Sequence, residues 1–239
     1  MDAHPHRRRA LLPLAAVIAG ALLIIPAVVV YNAPANAAVT ASYSESVAPH
    51  EGHVDAARTL NLKQAVFQDQ MRKLWEDHVT WTRLAIVTFA DGSAGFDATA
   101  TRLLQNQTDI GNAIKPFYGS AAGNRLSALL HDHITIAVEL LQDAKAGNTA
   151  AFNAANARWY ANANDIADFL SAANPRFWPQ ATMRAAMKTH LDQTLAEAVA
   201  ELNADYPASV ADYEAIHLHI LDMADLLSSG IIRQFPQKF

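Results

Sequence analysis

Residues 71–92, MRKLWEDHVTWTRLAIVTFADG, decide the fold of this chain. Their apolar side chains recur every three or four positions, as on one face of an α-helix, and do not alternate as in a half-buried β-strand. Asp91 and Gly92 then end the pattern, which predicts a first helix over residues 58–90. Its apolar face consists of Leu60, Val66 or Phe67, Met71, Leu74, Trp75, His78, Thr82, Ala85, Ile86 and Phe89.

The same periodicity continues to the C-terminus, interrupted by residues that begin or end helices. The second predicted helix runs from its cap Asp97 to Lys115, before Pro116, and the third runs from Ser120 to Ala146, before Gly147. The fourth runs from Asn148 or Thr149 to Asn174-Pro175, and the fifth from Pro179 to Tyr206-Pro207. The sixth continues from there to about Arg233. The connections are short, so neighbouring helices should be antiparallel. The sequence therefore predicts an all-α, up-and-down antiparallel bundle of five to six helices within residues 58–239.

The first 37 residues have the features of an export signal. Arg7, Arg8 and Arg9 precede an uncharged apolar run over residues 10–31. Cations beside such a run keep that end in the cytoplasm and direct the rest of the chain across the membrane. Ala35 and Ala37 match a signal-peptidase site and favour cleavage, while the length of the run leaves a retained anchor open. We expect a signal peptide or membrane anchor over 1–37, a flexible linker over 38–57, and a domain in the periplasm or at the cell surface.

Composition excludes several classes of function. The sequence contains no cysteine, which excludes disulfides, thiolate zinc sites, Fe–S clusters and covalent c-type haem. The net charge is −5 and no basic run follows residue 9, so we expect no nucleic acid partner. The nucleophile-elbow, P-loop and dinucleotide-binding motifs are missing from the sequence, so an enzyme is not indicated.

Four histidines lie on the apolar faces of four predicted helices: His78, His133, His190 and His217. Each is near the middle of its helix, so level antiparallel helices would bring them to similar heights. A buried imidazole cluster could hold a metal or haem, because histidine is the commonest metal ligand. The favoured alternative is that each is a core histidine with its own hydrogen-bond partner.

The second predicted helix is unusually polar, and its apolar face requires Asn106 or Gln107 to point inward. A buried amide needs hydrogen-bond partners, and Gly111 would allow another backbone or a ligand to approach closely. One interpretation is an amide network that fixes helix register. The other is a ligand pocket, for which the candidate residues are Trp75, Asn106, Asp109 and Trp159.

Several segments resemble a family of uncharacterised bacterial helical proteins that often carry a signal or anchor. They are LWEDHVTWTR at 74–83, RLLQN at 102–106, KPFYG at 115–119, RWYAN at 158–162 and QFP at 234–236. The resemblance covers about residues 65–237 and implies a helical domain without assigning functional residues. Some members are labelled acetylglutamate kinase. Such kinases resemble α/β proteins with strands and glycine-rich nucleotide loops, and this sequence has neither pattern.

These observations favour an exported or membrane-tethered binding or structural module of the cell envelope, without catalysis. Its partner would be an unknown small ligand or an envelope protein, together with the membrane if the N-terminal segment is retained. No cofactor is predicted outright. The first alternative is a metal- or haem-binding bundle that uses the buried histidines, and the second is an enzyme of unrecognised type.

Overall fold

The computed structural model describes residues 62–239, so the predictions for residues 1–61 lie outside the described residues. The described chain consists of five α-helices and a short 3-10 helix and contains no β-strand. The elements are α1 (Leu62–Ala90), α2 (Phe96–Ala146), α3 (Thr149–Ala173), α4 (Gln180–Leu202), α5 (Tyr206–Gln234) and the 3-10 helix Pro236–Lys238. The predicted all-α bundle is confirmed.

Helix α2 is bent back on itself at Gly119, whose φ of 84° and ψ of 167° are not helical. Its two arms, residues 96–118 and 120–146, pack closely where Gly111 faces Gly123. A Cβ atom on Gly111 would lie 2.5 Å from the Gly123 carbonyl oxygen, so only glycine allows this approach. The two arms correspond to the predicted second and third helices. The bundle therefore contains five continuous helices but six helical segments.

Several predicted helix ends are confirmed, and three are wrong. Pro116 does not end the second helix, which continues past it to the break at Gly119. Helix α4 ends at Leu202 and not at Tyr206-Pro207, where α5 begins. Gly147 has a left-handed φ of 69° just past α2, and the Asn148 side chain accepts a hydrogen bond from the amide of Ala151. The prediction that Asp97 caps the second helix is wrong. Gly95 occupies the cap position and Asp97 lies in the first turn, where a carboxylate is favourable near the positive end of the helix dipole.

The six helical segments form a closed ring, in which each segment packs against the next one along the chain and α5 packs against α1. Because their directions alternate, α1, the second arm of α2 and α4 run the same way. Helix α5 is long and apolar enough to cross a membrane by composition, but its apolar face packs into this ring. The ring encloses one main core and two small apolar clusters, and these small clusters lie beside the site described next.

Aromatic side chains fill the core at the end of the bundle that contains the C-terminus. Phe117 stacks on Phe239 with ring centroids 5.5 Å apart, and the Tyr118 hydroxyl donates to Gln234. Trp178 is fully buried against Gly230 and donates its indole N–H to the carbonyl of Leu226. These contacts connect the C-terminal residues to α2 and α5.

Candidate functional site: a histidine layer above an apolar cavity

Three of the four predicted histidines are buried together in the middle of the bundle. His78 on α1, His133 on α2 and His190 on α4 are each at most 4% exposed. The ring centroid of His190 lies 5.6 Å from that of His78 and 6.3 Å from that of His133. These short distances place the three rings at one level of the bundle. We call this level the histidine layer, which comprises His78, His133, His190, Trp75, Trp159, Asn106, Gln107 and Asn162.

The fourth histidine does not belong to this layer. His217 lies on α5 toward the surface, with its Nε2 atom 2.9 Å from Glu76 Oε1 and its ring stacked on Tyr213. The inward face of α5 contains Ile216 and Ile220. His217 follows Ile216 by one residue, so its side chain points about 100° away from that face. The prediction that His217 is buried with the others is therefore wrong.

Hydrogen bonds fix the tautomer of His133. The amide nitrogen of Asn162 donates to the Leu129 carbonyl, so its Oδ1 atom faces His133 Nδ1 at 2.9 Å and accepts from it. His133 Nδ1 therefore carries the proton, and Nε2 is the nitrogen with a lone pair. The indole of Trp159 stacks on the same ring at 5.2 Å and covers one of its faces.

The imidazoles of the layer are held neutral. Burial lowers the pKa of His133 to about 4, and burial together with the neighbouring His133 lowers the pKa of His78 to about 3. Burial, followed by the nearby His78 and His133, also lowers the pKa of His190 well below its usual value. A charged imidazole would lose its hydration there without gaining a carboxylate partner. The layer is thus polar but uncharged near neutral pH.

The predicted inward amides are also part of the layer. Asn106 and Gln107 are both fully buried, Asn106 Nδ2 donates to the Leu74 carbonyl, and Gln107 Nε2 lies 3.3 Å from His78 Nδ1. Asp109, the remaining candidate on this helix, lies away from the layer. Its carboxylate is partly exposed and pairs with the neighbouring Gln105 and Arg102. Of the four candidate ligand residues, Trp75, Asn106 and Trp159 come together and Asp109 does not.

Four polar atoms of the layer are buried without a hydrogen-bond partner among the described residues. They are Trp75 Nε1, Trp159 Nε1, Gln107 Oε1 and His190 Nδ1. An unsatisfied buried donor or acceptor costs about 1–3 kcal/mol, so native proteins rarely leave several together. Two of these atoms are obligate N–H donors, one is an acceptor, and the imidazole nitrogen can be either. This layer can therefore bind a group that offers both acceptors and donors.

An apolar cavity of about 60 Å³ lies directly below the layer. Thr82, Ala137 and Thr194 line it, and each follows a layer histidine by four residues, which is one helical turn. The other lining residues are Ala85, Ile86, Leu103, Ile134, Val138, Leu140, Leu141, Ala144, Phe152, Trp159, Leu195, Ala198, Val199 and Leu202. This volume corresponds to about two water molecules, so the cavity is a small gap in the packing.

The histidine layer does not have the arrangement of a preformed metal site. Within residues 62–239 no three histidine, aspartate or glutamate side chains are placed to hold a metal ion. The rings of His133 and His190 are only 26° from parallel and stack rather than converge. His78, His133 and His217 instead have their own partners in Gln107, Asn162 and Glu76, as the core interpretation expected. His190 is the exception, since its Nδ1 atom has none.

A buried ionic network below the layer was not anticipated from the sequence. Arg83 donates to Glu197 Oε1 at 2.7 Å and to Ser209 Oγ at 2.8 Å, and Ser209 in turn donates to Glu201. Burial raises the pKa of Glu197 to about 7, although Arg83 acts in the opposite direction. Two carboxylates on the apolar stripe of α4, four residues apart, were the available signal. This network joins α1, α4 and α5 beside the cavity.

Comparison of the chain with protein-family models, with curated protein sequences and with solved structures gives no match. The resemblance to the bacterial helical family therefore stays a prediction. The function has to be inferred from the histidine layer and the cavity.

Proposed function

We propose that this chain is an exported or membrane-tethered binding module of the cell envelope, which holds a small ligand inside its helical bundle. The binding site is the histidine layer together with the apolar cavity below it. The module binds without catalysis, since the layer consists of neutral imidazoles, amides and indoles.

The observation that carries this proposal is the set of four unpartnered polar atoms at one level of the bundle. Trp75 Nε1, Trp159 Nε1, Gln107 Oε1 and His190 Nδ1 are buried, and of these four residues Trp159 also lines the cavity. Pockets for small molecules typically combine apolar walls with a few convergent polar groups, as this region does. A ligand that satisfies two of these atoms would recover stability that the free protein lacks, and binding would raise the free energy of unfolding.

The location outside the cytoplasm is supported by Arg7, Arg8 and Arg9 and by the uncharged run that follows them. A phosphatase that is active only after export, fused behind Phe239, tests this part of the proposal. We expect activity in intact cells. Replacement of the three arginines by glutamate should reduce that activity, and a stable but inactive wild-type fusion would contradict export.

The interior ligand is tested by native mass spectrometry of the full chain isolated from its own envelope. We expect a mass above that of the mature polypeptide, and this excess should vanish when the protein is denatured. The same chain refolded from denaturant serves as the control and should unfold at a lower temperature. A native spectrum that shows the polypeptide alone, with identical thermal unfolding after refolding, would count against an interior ligand.

Metal or haem binding by the same histidines is the second candidate. It is favoured by the close approach of His190 to His78 and His133 and by the His133 tautomer, which leaves Nε2 unprotonated. Three neutral imidazoles suit zinc or copper better than harder cations. Small ring rotations would have to bring the nitrogens within about 2 Å of a common point. Elemental analysis and an absorption spectrum of the natively isolated protein distinguish this candidate from an organic ligand.

A further inference from the structure

We propose that the end of the bundle that contains the C-terminus is a membrane-contact surface, which lies against the anionic headgroups of a phospholipid bilayer. The inference follows from the charge of this end, from its partly exposed aromatic rings and from the point where residues 1–61 join the bundle. It goes beyond the interior ligand and does not depend on it.

This end of the bundle is strongly basic. It comprises residues 62–68, 112–126, 167–186 and 228–239. Asp168 is the only acidic side chain in these described ranges, and both of its carboxylate oxygens accept hydrogen bonds from Arg184. The other basic side chains of these ranges are Lys63, Lys115, Arg125, Arg176, Arg233 and Lys238. We call this region the basic end.

The opposite end of the bundle has the reverse charge. It comprises residues 84–102, 140–155 and 196–212. Outside the buried ionic network, its acidic side chains are Asp91, Asp97, Asp143, Asp205 and Asp212. The basic side chains of these described ranges are Arg102 and Lys145. An anionic surface therefore attracts one end of the bundle and repels the other, which orients the molecule with the basic end toward that surface.

Ring faces hold several cations at the basic end without neutralising them. Arg176 and Arg233 are both exposed, and their guanidinium carbons lie 5.2 Å and 5.3 Å from the ring centroid of Phe177. The exposed Lys238 ammonium lies 5.5 Å from the ring centroid of Phe117. A ring has no net charge, so the positive charge of these side chains remains available to an anionic partner.

Apolar side chains lie beside these cations. Leu62 is 76% exposed and Val66 is 46% exposed on the first turns of α1. Phe117, Phe177 and Phe235 are partly exposed at the same end. Aromatic rings are favoured at the boundary between water and lipid, where basic side chains also reach the headgroups. The basic end thus combines the two kinds of side chain that suit an anionic bilayer surface.

The preceding part of the chain joins the bundle at this end. Residues 1–61 lead into Leu62, so the predicted anchor over 1–37 and linker over 38–57 attach to the basic end. A retained anchor would keep the basic end close to the bilayer, where tethering raises its effective concentration at the surface. After cleavage the charge acts alone, and each basic residue near an anionic surface strengthens binding about fivefold.

The test is energy transfer from a fluorophore on the exported chain to a fluorescent lipid in phospholipid vesicles. The sequence contains no cysteine, so Ser120→Cys at the basic end and Asn203→Cys at the opposite end each allow labelling at one exposed position. The 25 residues of α3 separate the two ends by about 37 Å, so the two labels report different distances from the lipid.

Vesicles with about 30% phosphatidylglycerol should give strong transfer from the label at the basic end and weak transfer from the label at the opposite end. Vesicles of phosphatidylcholine alone should give less transfer from the label at the basic end. Salt at about 0.5 M should have the same effect on the anionic vesicles, because it screens the attraction.

A pair of double variants tests the charges themselves. Arg176→Gln with Arg233→Gln should lower the transfer from the basic end to the value measured with phosphatidylcholine. Arg158→Gln with Lys188→Gln removes the same charge from exposed positions in the middle of α3 and α4 and should preserve the transfer. Circular dichroism of both double variants should match the parent chain.

Three results would overturn the inference: equal transfer to anionic and zwitterionic vesicles, equal behaviour of the two double variants, or equally close approach of the label at the opposite end. A salt-sensitive oligomer without lipid-dependent transfer would also overturn it, because it would assign the basic end to the acidic end of a second copy. None of these results bears on the interior ligand, which the native mass spectrum tests separately.

Discussion

Acidification should destabilise the bundle through its buried histidines, and His133 allows this effect to be isolated. Burial lowers its pKa from 6.5 to about 4 in the folded protein. As the pH falls below 6.5, the unfolded chain takes up this proton and the folded chain does not, so the free energy of unfolding decreases. His133→Asn removes the titration and keeps an N–H donor near the position of Nδ1, facing Asn162.

The size of the effect follows from the two pKa values. At about 1.36 kcal/mol per pH unit, the difference between 6.5 and about 4 amounts to about 3 kcal/mol over the whole window. Near pH 5.5 the unfolded His133 is mostly protonated, so this residue contributes a slope of about 1.2 kcal/mol per pH unit. The slope of His133→Asn should be smaller than that of the wild type by this amount.

Urea unfolding followed by circular dichroism, repeated between about pH 7 and about pH 4.5, measures the slope. His131→Asn is the matched control, because His131 lies two residues away on the same helix and is exposed. Its slope should equal that of the wild type. If His133→Asn also has the wild-type slope, the imidazole is not held neutral in the interior, and the description of the layer is incorrect.

Three further outcomes are expected. Burial raises the pKa of folded Glu197 to about 7, so folding favours its protonated form. The free energy of unfolding that this protonation contributes is lost as the pH rises from about 5 to about 7. Glu197→Gln should therefore gain stability relative to the wild type over that range, which chemical denaturation at pH values of about 5 and about 7 measures. Asn162→Leu leaves the Leu129 carbonyl and His133 Nδ1 unpaired and should lower the free energy of unfolding by about 2–3 kcal/mol. Asn164→Leu, at an exposed position, should lower it by less than about 0.5 kcal/mol. Equal losses in urea unfolding would refute the assigned hydrogen bonds. Gly111→Ala places a Cβ atom 1.9 Å from Ser127 Oγ and 2.5 Å from the Gly123 carbonyl and should lower the thermal midpoint by several degrees, whereas Gly95→Ala, which meets Ser93 Oγ at 3.4 Å, should have little effect.

The sequence contained enough information for the fold because its helix signals are local. The apolar period, Gly147 after α2 and Asn148 before α3 each act within a few residues of the chain. The cap of α2 was predicted wrongly because a carboxylate suits both the cap position and the first turn of a helix. Asp97 lies in the first turn, two residues after the cap residue Gly95. Boundaries of this kind are determined by backbone geometry that the residue types alone do not fix.

The site was predicted only in part, because its members come from different helices. Periodicity was enough to place His78, His133 and His190 on the inward faces of their helices. It failed for His217, because successive side chains on a helix point about 100° apart and a shift of one residue moves a side chain from the core toward the surface. The pairing of His133 with Asn162 and of Arg83 with Glu197 depends on which helices are neighbours and at what height. The cavity is a property of packing, and no short motif in the chain encodes it.

The most direct test of the account is a high-resolution structure of the protein isolated from its native envelope. We expect an ordered bound molecule at the histidine layer that offers a hydrogen-bond partner to at least one of Trp75 Nε1, Trp159 Nε1, Gln107 Oε1 and His190 Nδ1. Bridging water molecules alone at Trp159 Nε1, Trp75 Nε1 and His190 Nδ1, with a collapsed or empty cavity below them, would contradict the interior binding site.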